Sequence, residues 1–313
     1  MELTQSFLLS ITRVRLSLYE QRILTKIVEH AQSRLEGLPL KHMQCKIPHD
    51  FTQERITLPI RYVLNDGDKH YNYVYDACKA LMSRKFEFYD PNTRNFYAAT
   101  IISDVRHQYK KGTITFHVSS ILFDVLFDFS KGYKSYDLEV ALTLQSPYAV
   151  RMYILMNNQD TPLYWSVEKL KAMFGVADKY KQTADFIKKV IEPSRKALIE
   201  LGANSFTYSR IMAGQRVSGL RFFPVKSLKK EQNYYGDLTK EQIVQAVAVR
   251  QYLATYVGFI PKELDIQKRV IQKFAKVPDC ISMLQQIDHR AKKKDADKGY
   301  YIAAMKDVTK DLG

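Results

Sequence analysis

The sequence predicts an α+β fold: two tandem winged-helix domains, each a helix-turn-helix followed by a β-hairpin wing, and then a helical C-terminal extension. Three observations predict it. The chain shows the order helix then hairpin twice, with Phe86-Glu87-Phe88 and Phe206-Thr207-Tyr208 each opening a hairpin straight after a lysine-bearing helix. A length of 313 residues is more than one small core uses. From Thr239 onward the pattern reads as helices. The domains are drawn at residues 1–134, 135–237 and 238–313.

Ser17 to Ser33 is expected to be an amphipathic helix, because Leu18, Ile23, Leu24, Ile27, Val28 and Ala31 recur near helical spacing and Gly37 and Pro39 stop it. Ile56 to Leu64 alternates as a strand, and Asn65-Asp66-Gly67-Asp68 turns the chain into a helix over 69–83. Strands are expected over Lys85–Asp90, Phe96–His107 and Thr113–Val118, with the Lys131–Ser135 stretch as the domain boundary. Ser146 and Pro147 open a helix through Met156, and Ser166 caps a short helix carrying Val167, Leu170 and Phe174. Gly175 turns the chain into a longer helix from Lys181, with Phe186, Val190, Ala197 and Leu201 inward and Pro193 marking a kink or a new start. A hairpin follows, Asn204–Ile211 and Val217–Val225, with its tip at Met212–Arg216. In the extension, Thr239 and Gln242 form a capping box for a helix ending near Gly258 and Pro261. Two or three further helices follow, broken at Pro278 and Gly299, with Lys292-Lys293-Lys294 in a loop.

Charge narrows the partner. Lys and Arg number 48 against 33 Asp and Glu, a net of +15, so an acidic small-molecule enzyme is disfavoured and a phosphate-bearing polyanion comes first. The excess is uneven: residues 165–237 hold 14 basic and 7 acidic groups, against 17 and 14 in residues 1–130. Cys45, Cys78 and Cys280 have neither disulfide nor zinc spacing, which suits a reducing cytoplasm. Neither a signal peptide nor a membrane span is expected.

No catalytic site is legible. There is no phosphate-binding G-x-x-x-x-G-K loop and no His-x-His pair. Asp66/Asp68 and Asp295/Asp297 fall in turn-like segments, so no enzyme activity, cofactor or metal is expected. What is present is a DNA-reading constellation. The second helix of the 166–201 pair turns Lys181, Gln182, Asp185, Lys188 and Lys189 away from Phe186 and Val190. An amide can bond adenine, a lysine guanine or phosphate, and a carboxylate cytosine. Lys179, Tyr180 and Thr183 flank that face, and Arg210 and Arg216 on the basic hairpin supply backbone anchors. In the first module Lys69, His70, Tyr71, Asn72 and Tyr75 hold the equivalent places, where DNA contact and a dimer surface are equally open readings, and Arg94 in the turn between two strands is a further DNA-binding candidate.

At these residues the chain resembles a family. Leu170-x-x-x-Phe174-Gly175-Val176-x-x-x-Tyr180, then Asp185-Phe-Ile-Lys-Lys-Val-Ile-Glu-Pro193 with Leu198, Phe206-x-Tyr208 and Gly219-Leu-Arg-Phe-Phe-Pro-Val225 resemble the iteron-binding initiator Rep proteins of theta-replicating plasmids. Leu144 to Tyr153 and Leu18-x-Glu20-Gln21-Arg22-Ile23-Leu24 are similar to that family's second-module entry and first helix. The resemblance implies double-stranded origin repeats as the ligand, with Asp185–Lys189 as the main reader. It also implies a homodimer that represses its own gene, in equilibrium with an origin-binding monomer, and recruitment of a host initiator ATPase and replicative helicase. A transcriptional regulator without a replication role is the alternative, followed by a replication enzyme such as a nickase or primase.

Overall fold

The structure, a computed structural model, describes residues 2–6, 15–34, 53–64, 71–89, 94, 96–119, 121–123, 133–157, 159–226 and 228–310. The chain divides into two compact units, residues 1–155 and 156–313.

In the first unit β1 (Glu2–Ser6) precedes α1 (Leu18–Arg34). Ser17 and Glu20 close a capping box on α1, each side chain accepting the other's backbone N–H. The same Glu20 carboxylate, buried, accepts two bonds from Arg84, while buried Arg22 donates to the Val63 carbonyl. The polar residues of the first-helix motif therefore lock the module together. Next come β2 (Gln53–Pro59), α2 (Tyr71–Ser83), β3 (Lys85–Tyr89), β4 (Phe96–Thr100), β5 (Ser103–Gln108), β6 (Thr113–Ser119) and β7 (Tyr133–Asp137). The expected strand 56–64 begins and ends earlier, since Ile60–Tyr62 coil into a 3-10 turn after Pro59. The expected strand 96–107 breaks at Ile101 and Ile102, which are buried. β3 and β4 form a separate two-stranded hairpin, while β2, β6 and β5 make a three-stranded antiparallel sheet. Ile23, Ile27 and Val28 of α1, Val74 and Leu81 of α2, and Ile114, Phe116 and Val118 of β6 supply the core.

The boundary drawn at 134/135 lies inside a strand. β7 pairs antiparallel with β1, from Glu2 opposite Asp137 to Ser6 opposite Tyr133. α3 (Leu138–Thr143) and α4 (Pro147–Met156) follow directly. Tyr153 of α4 accepts from the Asp137 N–H at 3.1 Å and stands edge-on to Tyr136, so this helix stays with β7.

The second unit opens with β8 (Leu163–Ser166), a strand too short to leave an alternating signature, and α5 (Val167–Met173). α6 (Thr183–Phe186) widens into a π-turn over Ile187–Ile191 before α7 (Glu192–Leu201) resumes. The wide turn carries the Glu192 N–H back to the Ile187 carbonyl just ahead of Pro193, which has no N–H to give and whose ring would clash in a continuous ladder. β9 (Ser205–Ala213) and β10 (Arg216–Val225) form the wing, and β8 pairs with the other side of β10. The tip is tighter than expected, Gly214-Gln215 alone, with Gly214 in the left-handed region at φ 60°.

α8 (Leu228–Tyr235) and α9 (Lys240–Tyr252) come next, α9 opening on the expected Thr239/Gln242 capping box and ending through a π-turn at Gly258. Four further helices follow among the described residues: α10 (Pro261–Ile266), α11 (Lys268–Phe274), α12 (Cys280–Lys293) and α13 (Lys298–Val308). Gly299 lies in the first turn of α13 instead of breaking a helix, because Asp297 caps there by accepting from the Tyr300 N–H. Lys292 and Lys293 close α12, with Lys294 as its C-cap, where cations suit the helix dipole. These helices share one core with the wing: Phe223 and Val225 of β10 cluster with Val244, Ala248, Leu284 and Met305. The break drawn at 237/238 thus falls within a single unit.

A buried carboxylate staples this helical layer. Asp288 accepts from Tyr252 at 2.9 Å, Tyr301 at 2.7 Å and Lys292 at 2.8 Å. Burial alone would raise its pKa, but the bonds from Lys292, Tyr301 and Tyr252 outweigh burial and hold it below the ordinary carboxylate value. Its stabilisation is therefore complete above the unfolded pKa of about 4 and is lost as pH falls through the lower folded value. Asp288→Asn is expected to cost about 1–3 kcal/mol at neutral pH, measured by urea unfolding, with the deficit against wild type shrinking at acid pH. Burial also pushes the Cys78 and Cys280 thiols up to about 12.

Candidate nucleic-acid interface

The helix-turn-helix of the second unit is built on aromatic packing. Phe174 and Tyr180 each place a ring 6.3 Å from that of Phe186, and Gly175 adopts φ 62° to turn between α5 and the next segment. Buried Lys171 reaches across the turn and donates to the Lys181 carbonyl at 3.0 Å, fixing where α6 starts. Nothing in its spacing distinguished this lysine from its solvated neighbours. Lys181 and Gln182 are exposed and lie just ahead of the helix instead of on it. Gln182 sits at the N-cap without using its side chain as a cap, and its amide is exposed to solvent. Lys188 and Lys189 are exposed, Thr183 and Asp185 half-exposed, and Phe186, Ile187, Val190 and Ile191 buried, as the outward face requires. Tyr180 is the exception: its ring is buried against Phe186 with Lys179 over it at 5.2 Å, so it packs behind the outward face instead of joining it.

The wing is tied to this helix from behind. Tyr208 of β9 donates to Glu192 at 2.6 Å, and Arg195 donates twice to the same carboxylate at 3.1 Å. Burial and the Glu192 carboxylate push the Tyr208 hydroxyl pKa far up, so it stays a donor. Arg210 and Arg216 are exposed on the wing, Arg216 beside its tip. With Lys169, Lys179, Lys181, Lys188, Lys189 and Lys196 they make eight exposed cations on the helix-turn-helix and wing. Lys196, one turn beyond Glu192, joins them by helical spacing.

In the first unit Lys69 and His70 lie outside the described residues. Tyr71 and Asn72 are exposed in the first turn of α2, and Arg94 is exposed with φ 58°. Tyr71, Asn72 and Tyr75 line a cleft of about 1090 Å³ with His107, Tyr109, Lys110 and Lys111, and Tyr75 is hydrogen-bonded to His107 at 2.6 Å. The last four residues follow α2 by some thirty positions, so only the return of β5 reveals them as neighbours.

Among the described residues no group of three His, Cys, Asp or Glu could hold a metal, and no helix is long and apolar enough to cross a membrane. Two winged helices, the second with a cationic face around an exposed amide, define a tandem winged-helix DNA-binding protein. Residues 3–157 match the family described as initiator replication protein, WH1, and residues 166–223 match initiator Rep protein, WH2. The chain belongs to this family of plasmid replication initiators. Its fold is similar to that in a crystal structure of the Pi initiator protein in complex with iteron DNA. The TM-score is 0.52 at 14% identity, covering 71% of this chain and 95% of that one. No curated protein matches the chain.

Proposed function

We propose that this chain initiates plasmid replication without enzymatic activity of its own, by binding direct repeats of double-stranded origin DNA in the cytoplasm. The observation that carries the reading is the exposed face Lys181, Gln182, Asp185, Lys188 and Lys189 of the second helix-turn-helix, flanked by Arg210 and Arg216. That face offers base-reading groups in the centre and phosphate anchors at the edge. The solved neighbour in complex with iteron DNA supports repeats as the ligand. The first unit is read as adding a contact or a dimer surface through Tyr71, Asn72 and the cleft beside them. Recruitment of a host initiator ATPase and replicative helicase, and repression of its own gene by a dimer in equilibrium with the monomer, complete the proposal.

Gln182→Ala or Lys188→Ala is expected to cost about 1–3 kcal/mol on the cognate repeat and little on random duplex, since a base contact is lost only where the right base is present. Arg216→Ala should weaken both nearly equally. Fluorescence anisotropy on both duplexes checks this, and equal losses for Gln182→Ala on the two would remove it as a reader.

A further inference from the structure

The helices after residue 237 lie outside both stretches matched to the family, yet they reach the reading helix directly. Successive strand residues point to opposite faces, so Ser205, Thr207 and Ser209 share one face of β9 while Phe206 and Tyr208 take the other. The small polar row is buried, and two of its three hydroxyls receive amides from the added helices. Gln245 of α9 donates to Thr207 at 3.4 Å, and Gln285 of α12 donates to Ser209 at 2.8 Å. This register brings the first turn of α9 against α7 at two points. Lys240 donates to the Glu200 carbonyl at 2.9 Å, where the end of α7 has acceptors to spare. One residue on, Glu241 accepts from Arg195, the guanidinium that also grips Glu192. Arg195 is only 11% exposed in its side chain, whereas Glu241 is 46% exposed. The arginine is thus a mostly buried relay, and Glu241 is its more exposed outer partner.

We propose that Glu241 is a positioning residue for DNA reading: through Arg195 and Glu192 it sets the angle of the helix bearing Lys188 and Lys189 against the wing, giving the C-terminal helices control over sequence discrimination. Glu241 touches no DNA in this scheme. A base contact depends on placement to a fraction of an ångström, whereas phosphate contacts made by long flexible lysines tolerate small rotations. Loosening the relay therefore lowers discrimination before it lowers overall affinity.

The inference rests on the second unit being the reader, and the experiment separates the two. The full-length chain selects its preferred duplex from a randomised library; affinities for that duplex and for a shuffled one of equal length are then measured for wild type, Glu241→Ala and Glu241→Gln, with the melting temperature of each. Glu241→Ala is expected to lower the ratio of the two affinities about tenfold, with shuffled-duplex affinity within about twofold of wild type and melting barely moved. Glu241→Gln keeps an acceptor for Arg195 and should recover most of the ratio. An unchanged ratio overturns the inference and leaves the reader assignment standing. Equal falls on both duplexes together with a lower melting temperature overturn it in favour of a purely structural contact. If wild type selects no sequence, both readings fall.

Discussion

A chain ended at Asp237 should lose its folded second unit. α9 is buried almost all round, through Ile243, Val244, Ala246, Val247, Ala248, Val249 and Tyr252, and it packs with the helices beyond it onto Phe223 and Val225 of the wing. Removing it uncovers two fully buried wing side chains, the row Ser205, Thr207 and Ser209, and Ile199 of α7. Losing the packing of one buried phenylalanine costs about 3–5 kcal/mol, and a domain has only about 5–15 kcal/mol in total, so several such losses exceed what is available. Residues 156–237 expressed alone are expected to lack dispersed amide resonances and a cooperative melt, while residues 156–313 show both. A fragment 156–237 melting as sharply as 156–313 would refute the shared core. Residues 1–155 carry their own core and should be untouched by the deletion.

Binding should fall steeply with salt. If six to eight of the exposed cations on the second helix-turn-helix and wing meet phosphates, log affinity against log salt has a slope of roughly −5 to −7, about a thousandfold to ten-thousandfold loss between 50 and 200 mM. The structure withdraws Lys171, Arg195 and Lys226 from the basic excess of this region, because they are held by the Lys181 carbonyl, by Glu192 and Glu241, and by Asp160. The eight that remain exposed still suffice. Titration of cognate duplex at four or five salt concentrations gives the slope, and one shallower than about −2 would show that this face is not the main polyanion surface. Replacing Arg210 and Arg216 together should flatten it by up to two phosphate contacts, about 1.8 in slope.

The local sequence determined several helix starts and the tightest turns. Ser166 and the Thr239/Gln242 box cap as their residue types dictate, Gly175 and Gly214 turn where only a left-handed backbone suits, and Phe186 and Val190 against Lys188 and Lys189 set the inner and outer faces of the helix. Each of these is a matter of neighbours within a turn or two, so spacing alone carries it. The tertiary structure decided everything that depends on distant partners. β7 belongs to the first unit because it pairs with β1, more than a hundred residues earlier, and the helical extension belongs to the second because its apolar faces close over the wing. Tyr180 turns inward because Phe186 offers it a ring to pack on. Lys171, Arg195 and Glu241 become relays because chain segments 10 and 46 residues away come into hydrogen-bond range. Pairing and burial at that range are set by the summed free energy of the whole core, which no local period records.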